Sequence, residues 1–139
     1  MIVVIAILAL IVIGRLLSAT RRAKEVRMQA DLRQMRQAIM LFENDTGAYP
    51  AELTDIVART QDQLSGALPE NARALYRGPY LSTTGGGIQL PDCPGLPINP
   101  YVSPLNLDIS AHWTYDEVAG TVQSAVVGIT LFGVPYSDL

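Results

Sequence analysis

A chain of 139 residues is long enough for one domain and short for two. One cysteine, Cys93, excludes an intramolecular disulfide and a cysteine-based zinc site, and a single histidine, His112, narrows metal and acid–base chemistry. The net charge of −3 hides a division: seven of the ten basic residues lie between Arg15 and Arg36 with two acids, a net +5, while three basic and eleven acidic residues from Gln37 onward give −8. A basic stem joined to an acidic body points to a membrane or an assembly.

From Met1 to Ile13 there is no polar side chain. Ile2, Val3, Val4, Ile5, Ile7, Leu8, Leu10, Ile11, Val12 and Ile13 would line every face of a helix, and a helix apolar all round is buried in lipid or in protein. Leu16 and Leu17 lengthen the run past Gly14 and Arg15. The uninterrupted stretch reaches about 20 Å, short of the ~20 residues that span a bilayer. A secretory signal fits its length, but no basic region precedes it and no small-x-small cleavage site follows. The cluster Arg15, Arg21, Arg22 and Lys24 lies after the run, where the positive-inside rule alone would hold the body in the cytoplasm. The expectation is that further residues stand ahead of Met1.

Ser18 to Phe42 has helical periodicity. Met28, Leu32, Met35, Ile39 and Phe42 recur at spacings of four, three, four and three, one apolar stripe for packing a stalk on a head. Lys24, Arg27, Arg33, Arg36 and Gln37 mostly take other faces. No proline interrupts Met1 to Tyr49, so the helix is expected to run to about Asn44, about 66 Å. A folded body of 100 residues has a radius of gyration of only about 13 Å. The part up to about Ala23 must be covered by lipid, by other subunits, or by each in turn. Gly14 costs roughly 1 kcal/mol relative to Ala in a helix interior and is the natural weak point.

Glu43 to Pro50 stops the helix with turn formers and Gly47. Asp45-Thr46-Gly47 spells the aspartic-protease triplet, but it follows a helix and occurs once, so it reads as a turn. Asn44-Asp45-Thr46 is a glycosylation sequon, which makes Asn44 a candidate acceptor. A second helix is expected from Pro50 to Leu64, with Leu53, Ile56, Val57 and Leu64 on one side. The Pro- and Gly-rich stretch from Gly66 to Pro104 reads mostly as loop, with short strands near Pro79–Leu81 and Ile88–Leu90. His112–Tyr115 and Thr121–Val127 read as a hairpin around Gly120, and Ile129–Val134 as a further strand. The class is α+β: a stalk helix over 1–45, whose segment 1–17 projects, packed by its C-terminal half on a small antiparallel sheet within a head over 46–139.

The run MIVVIAILALIVIG, the basic helix after it and the phrase ENDTGAYPAEL together resemble the type IV pilins and type II secretion pseudopilins. GPYL, LPINPY and WTYDEVAGTVQS look like the sheet region of such heads, with less specificity than the N-terminal half. In that family the mature chain opens with a stretch like FTLIEL before an MIVVIAILA-type run, so the resemblance makes Met1 an internal start. A chain truly beginning at Met1 would lack the family's glutamate two places earlier and its methylated phenylalanine. The resemblance implies a structural subunit of an extracellular helical filament, polymerising through Ile2–Leu17. Its partners would be copies of itself, the bilayer before assembly, a prepilin peptidase and an inner-membrane assembly platform. A major pseudopilin of a secretion system is the alternative within the family. A membrane-anchored domain that never polymerises and a DNA-uptake pilin are the others. Arg15, Arg21, Arg22, Lys24 and Arg27 are expected to meet lipid head groups, then acids of neighbouring subunits.

No catalytic or nucleotide-binding site is expected. Phosphate-loop, dinucleotide and zinc-protease motifs are absent, and the only lysine, Lys24, is on the stalk. Ser110 and His112 are too close in sequence and too common a pair to claim a triad. Major pseudopilins often carry a calcium loop, for which Asp92, Asp108, Asp116 and Glu117 are candidates. They are scattered without a D-x-D spacing, so solvated acids and no cofactor are the expectation. The basic stripe suits phosphate neutralisation, but its place beside an apolar segment favours lipid over nucleic acid. Ser82-Thr83-Thr84 reads as an ordinary loop, with O-glycans as the alternative.

Overall fold

The computed structural model describes residues 2–81, 89–90, 93–130 and 133–139. Helix α1 runs unbroken over Ile2–Thr46, about 67 Å at 1.5 Å per residue, two residues past the expected end. Its stop is built by Gly47, whose φ of +74° takes the left-handed conformation and whose N–H reaches Glu43 O at 2.7 Å. The Thr46 hydroxyl donates to Phe42 O at 2.7 Å, supplying one more of the end carbonyls.

The stripe Met28, Leu32, Met35, Ile39 and Phe42 is completely buried and forms the spine of the core. Around it lie Leu53, Ile56, Leu90, Leu96, Trp113 and Val122. Phe42 meets Tyr76 and Tyr80 with ring centroids 5.9 and 5.6 Å away, and the two tyrosines meet each other edge-on at 5.4 Å. Such tilted and edge contacts suit the ring quadrupoles.

Among the described residues the head has two antiparallel pairs of strands. β1 (Gln89–Leu90) pairs with β2 (Cys93–Pro97) through an irregular register, Gln89 opposite Pro97 and Leu90 opposite Cys93. β3 (Trp113–Asp116) pairs with β4 (Thr121–Ser124) in regular register from Trp113↔Ser124 to Asp116↔Thr121. Two short helices complete it, α2 (Glu70–Leu75) and α3 (Ile109–His112). The fold is therefore α+β, a long helix packed on small antiparallel sheets.

The hairpin and tail run back along α1. A Cβ on Gly120, in the β3–β4 turn, would stand 2.4 Å from the Tyr49 ring beyond the helix end. Further along, Val122 O accepts from Arg36 Nη2 at 3.3 Å, and Ile129 O accepts from Arg21 Nη2 at 3.3 Å. The chain thus descends the helix from its C-terminal end to Arg21.

Several expected elements are corrected. Pro50 to Leu64 is no helix but two 3-10 turns, Leu53–Ile56 and Gln61–Gln63. The cause is Asp55, fully buried, whose carboxylate accepts from Glu52 N at 3.0 Å and Ser65 N at 2.7 Å and draws the backbone into a closed loop. Pro79–Leu81 is not a strand: Tyr80 N and Leu81 N both donate to the single carbonyl Ile56 O at 3.0 Å. Of the expected strand at Ile129–Val134, Leu131 and Phe132 lie outside the described residues; among the described ones Ile129 makes one bridge, to Pro135. The hairpin's second strand ends at Ser124, short of Val127. Met1, Ser82–Ile88, Pro91, Asp92, Leu131 and Phe132 lie outside the described residues.

Candidate functional site

The feature that stands apart from the core is the first half of α1. Ile2, Val3, Val4, Ile5, Ile7, Leu8, Ile11, Val12, Ile13 and Leu16 are each at least 54% exposed. The side chains of Leu10 and Leu17 lie outside the described ones, and the helix passes through Gly14 without interruption. Among the described residues the first buried side chain of the chain is Glu25. From Ile2 to Lys24, about 34 Å of helix, every described side chain is thus exposed, and the head first reaches the helix at Arg21 and Lys24. This segment is long and apolar enough to cross a membrane.

Where the head begins, the basic residues divide by partner. Arg15 and Arg22 are exposed. Arg21 reaches Ile129 O and lies 4.0 Å from the Glu25 carboxylate one turn on. Lys24 sits over the Tyr101 ring, its Nζ 5.7 Å from the centroid. Arg27 pairs with Asp31 at 3.7 Å. Of the five cations expected to meet head groups or other subunits, Arg21, Lys24 and Arg27 therefore also hold contacts within the chain.

Tyr101 is the hub of this junction. Its ring stacks on Tyr136 with centroids 4.9 Å apart, and its hydroxyl donates to Arg21 O at 3.4 Å. Burial, with Tyr136 beside it, raises the Tyr101 phenol above its ordinary value. Nothing in the sequence joins Tyr101 to Tyr136, 35 positions later; the pair exists because the chain descends α1 to Arg21 and the tail then turns back toward Arg36.

The head itself is braced around Asn99, which is fully buried. Its amide nitrogen donates to His112 O at 3.1 Å and Ser124 Oγ at 2.9 Å, and its backbone N–H donates to His112 Nδ1 at 3.2 Å. His112 Nε2 faces Asn106 O at 2.8 Å, so the ring accepts at one nitrogen and donates at the other. Ser110 turns away and donates to Asp108 at 2.8 Å. The two hydrogen bonds from Ser110 to Asp108 hold that carboxyl below its usual range. His112 is thus occupied by Asn106 and Asn99, and the Ser110–His112 pair does not form a nucleophile and base.

The remaining candidates are dispersed. Asp108 caps α3, and Asp116 accepts from Val118 N and Ala119 N in the hairpin turn. No group of three or more His, Cys, Asp or Glu side chains placed to hold a metal occurs among the described residues. Asn44 is exposed in the last turn of α1, while Thr46 of the same sequon is buried. Asp45 accepts from the Tyr80 hydroxyl at 2.9 Å. On the outer face of α1, opposite the core, Val26, Met40 and Leu41 are also exposed, a continuation of the apolar surface that the sequence reading missed. No family model, characterised protein or solved structure matches the chain.

Proposed function

We propose that this chain is a structural subunit of a type IV pilus-like helical filament, assembled from a single-pass precursor of the inner membrane and displayed at the cell surface. The observation that carries the reading is the first 34 Å or so of the helix, along which every described side chain is exposed. So much aliphatic surface requires a cover, and lipid followed by neighbouring copies supplies one in each state. Copies stacked head to tail with a rotation that does not close form an open helical polymer. Inside such a polymer the apolar segments bundle and the heads form the wall. Force for extension would come from an external ATPase acting through an assembly platform, after a prepilin peptidase has processed the precursor. The role is structural, with no chemistry assigned to the head.

The test is electron microscopy of the fraction sheared from cells expressing the gene, with mass-spectrometric identification of the subunit. Long filaments of this chain support the reading, and the N-terminal peptide shows whether residues precede Met1. Protein left wholly in the membrane fraction sinks it in favour of a short secretion pseudopilus or a plain anchored domain. Polar substitution at Ile5 or Leu8 separates those two, since an anchored domain loses membrane retention alone.

A further inference from the structure

The end of the head nearest the apolar segment presents aliphatic and basic groups side by side. Ile129 O meets Arg21, only four residues and about 6 Å of helix rise past Leu17. In the loop around it Val127 is 99% exposed, Ile129 57% and Val134 40%. The described residues of this loop are tied together: Thr130 N donates to Val134 O at 2.7 Å, Tyr136 N to Gly128 O at 3.0 Å, and Tyr136 is buried. Three aliphatic side chains are therefore held out to solvent beside hydrogen-bonded backbone.

On the helix beside them Arg15, Arg22, Lys24 and Arg27 are exposed, while the intervening acid, Glu25, is 3% exposed and turned inward. The opposite end of the head has the reverse charge. There the hairpin turn near Tyr49 carries Asp116 and Glu117, both exposed, and Val118, 83% exposed. The head is polarised in charge along α1, cationic at one end and acidic at the other.

We propose that, while α1 is inserted, the rim formed by Val127, Ile129 and Val134 with Arg15, Arg22 and Lys24 seats the head on an anionic bilayer surface. Aliphatic side chains entering the head-group layer and cations meeting lipid phosphates are the two components of interfacial binding. The inference rests on the reading of Ile2–Leu17 as a membrane segment. It adds that the head lies against the bilayer in one orientation, acidic turn outward, before any subunit joins another.

The full chain is reconstituted in vesicles of phosphatidylethanolamine and phosphatidylglycerol, with a photocrosslinking amino acid placed in turn at Ile7, Val127, Ile129 and Val118. All four positions are exposed, so the fold tolerates the probe. Lipid adducts at Val127 and Ile129 are expected about tenfold above those at Val118, falling toward the Val118 level in phosphatidylcholine vesicles or at high salt. Adducts at Ile7 with none at Val127 or Ile129 overturn the seat and leave the membrane segment standing. No adducts at Ile7 overturn the membrane reading itself, and the seat with it. Protein–protein adducts at Val127 that rise with the protein-to-lipid ratio, in place of lipid adducts, assign the rim to a second copy and also overturn it.

Discussion

Lys24 lies over the ring of Tyr101, its Nζ 5.7 Å from the centroid, and the Tyr101 hydroxyl reaches back to Arg21 O one turn below. These two contacts join the lowest part of the head to the last uncovered turn of α1. An exposed cation–π contact contributes about 0.5–1 kcal/mol. Lys24→Ala is therefore expected to lower unfolding stability by that amount in a denaturant titration, and Lys24→Arg to retain most of it. Tyr101→Ala removes the stack on Tyr136 as well and is expected to cost more than Lys24→Ala.

Opposite faces of α1 should respond to truncation in opposite ways. Phe42→Ala opens a cavity among Tyr76 and Tyr80 and is expected to cost about 3–5 kcal/mol, and Leu32→Ala about 2–5 kcal/mol. Met40→Ala, on the exposed face, should stay within about 0.5 kcal/mol in the isolated chain. Urea midpoints at constant slope give the comparison. A large loss at Met40 in the isolated chain would contradict the packing described.

Two glycines at positive φ should differ in cost. At Gly47, φ +74°, an added Cβ meets nothing within 4 Å, so Gly47→Ala is charged only with left-handed backbone strain, about 1–2 kcal/mol. Gly47→Asn should be milder, since asparagine visits that region. At Gly120, φ +63°, the Cβ would stand 2.4 Å from the Tyr49 ring, adding a steric clash to the strain. Gly120→Ala is expected to be clearly the worse of the two, read from thermal midpoints.

Rising pH should unfold the head before most other chemistry intervenes. Burial raises the phenols of Tyr76, Tyr80, Tyr101 and Tyr115, and Tyr76 is pushed up to about 12 from an ordinary value of 10.0. A group whose folded value is raised contributes stability that is complete below its unfolded value and lost as pH rises through the folded one. Denaturant midpoints should thus be flat below about pH 9 and fall steeply from about pH 10 to about pH 12. Tyr76→Phe should flatten that slope, while lowering stability at neutral pH through loss of its bonds to Ala58 O and Asp55 O.

The parts of the fold that can be read from sequence are those in which neighbours in space recur at a fixed period. The stripe Met28 to Phe42 is one, and the hairpin of β3 and β4 around Gly120 is another. The strand Cys93–Pro97 is hidden because two prolines and a glycine in five residues signal loop, and it is tolerated only in an irregular two-stranded pair. Helix α2 is likewise concealed in Pro- and Gly-rich surroundings, although Pro69 at its cap followed by Glu70 is a usable start signal. Asp55 defeats the expected helix after Pro50 because its partner Ser65 lies ten residues away, outside any local pattern. At the junction the uncovered segment and its basic flank are legible. Tyr101 over Tyr136 and Asn99 on Ser124 are not, because they depend on the tail descending the helix.

The unbroken run of α1 from Ile2 to Thr46 also fixes an angle. With 3.6 residues per turn, each residue advances the azimuth by about 100°. The face that the head presents around the helix axis is therefore locked in phase with the face of the apolar segment, with no swivel between them. Inserting one residue near Ser18 would leave both halves chemically intact yet turn the head by about 100° and lift it by only about 1.5 Å. Inserting seven would nearly restore the phase while moving the head outward by about 10 Å. The head's distance from the apolar segment and its direction of facing are thus set by a single count of residues.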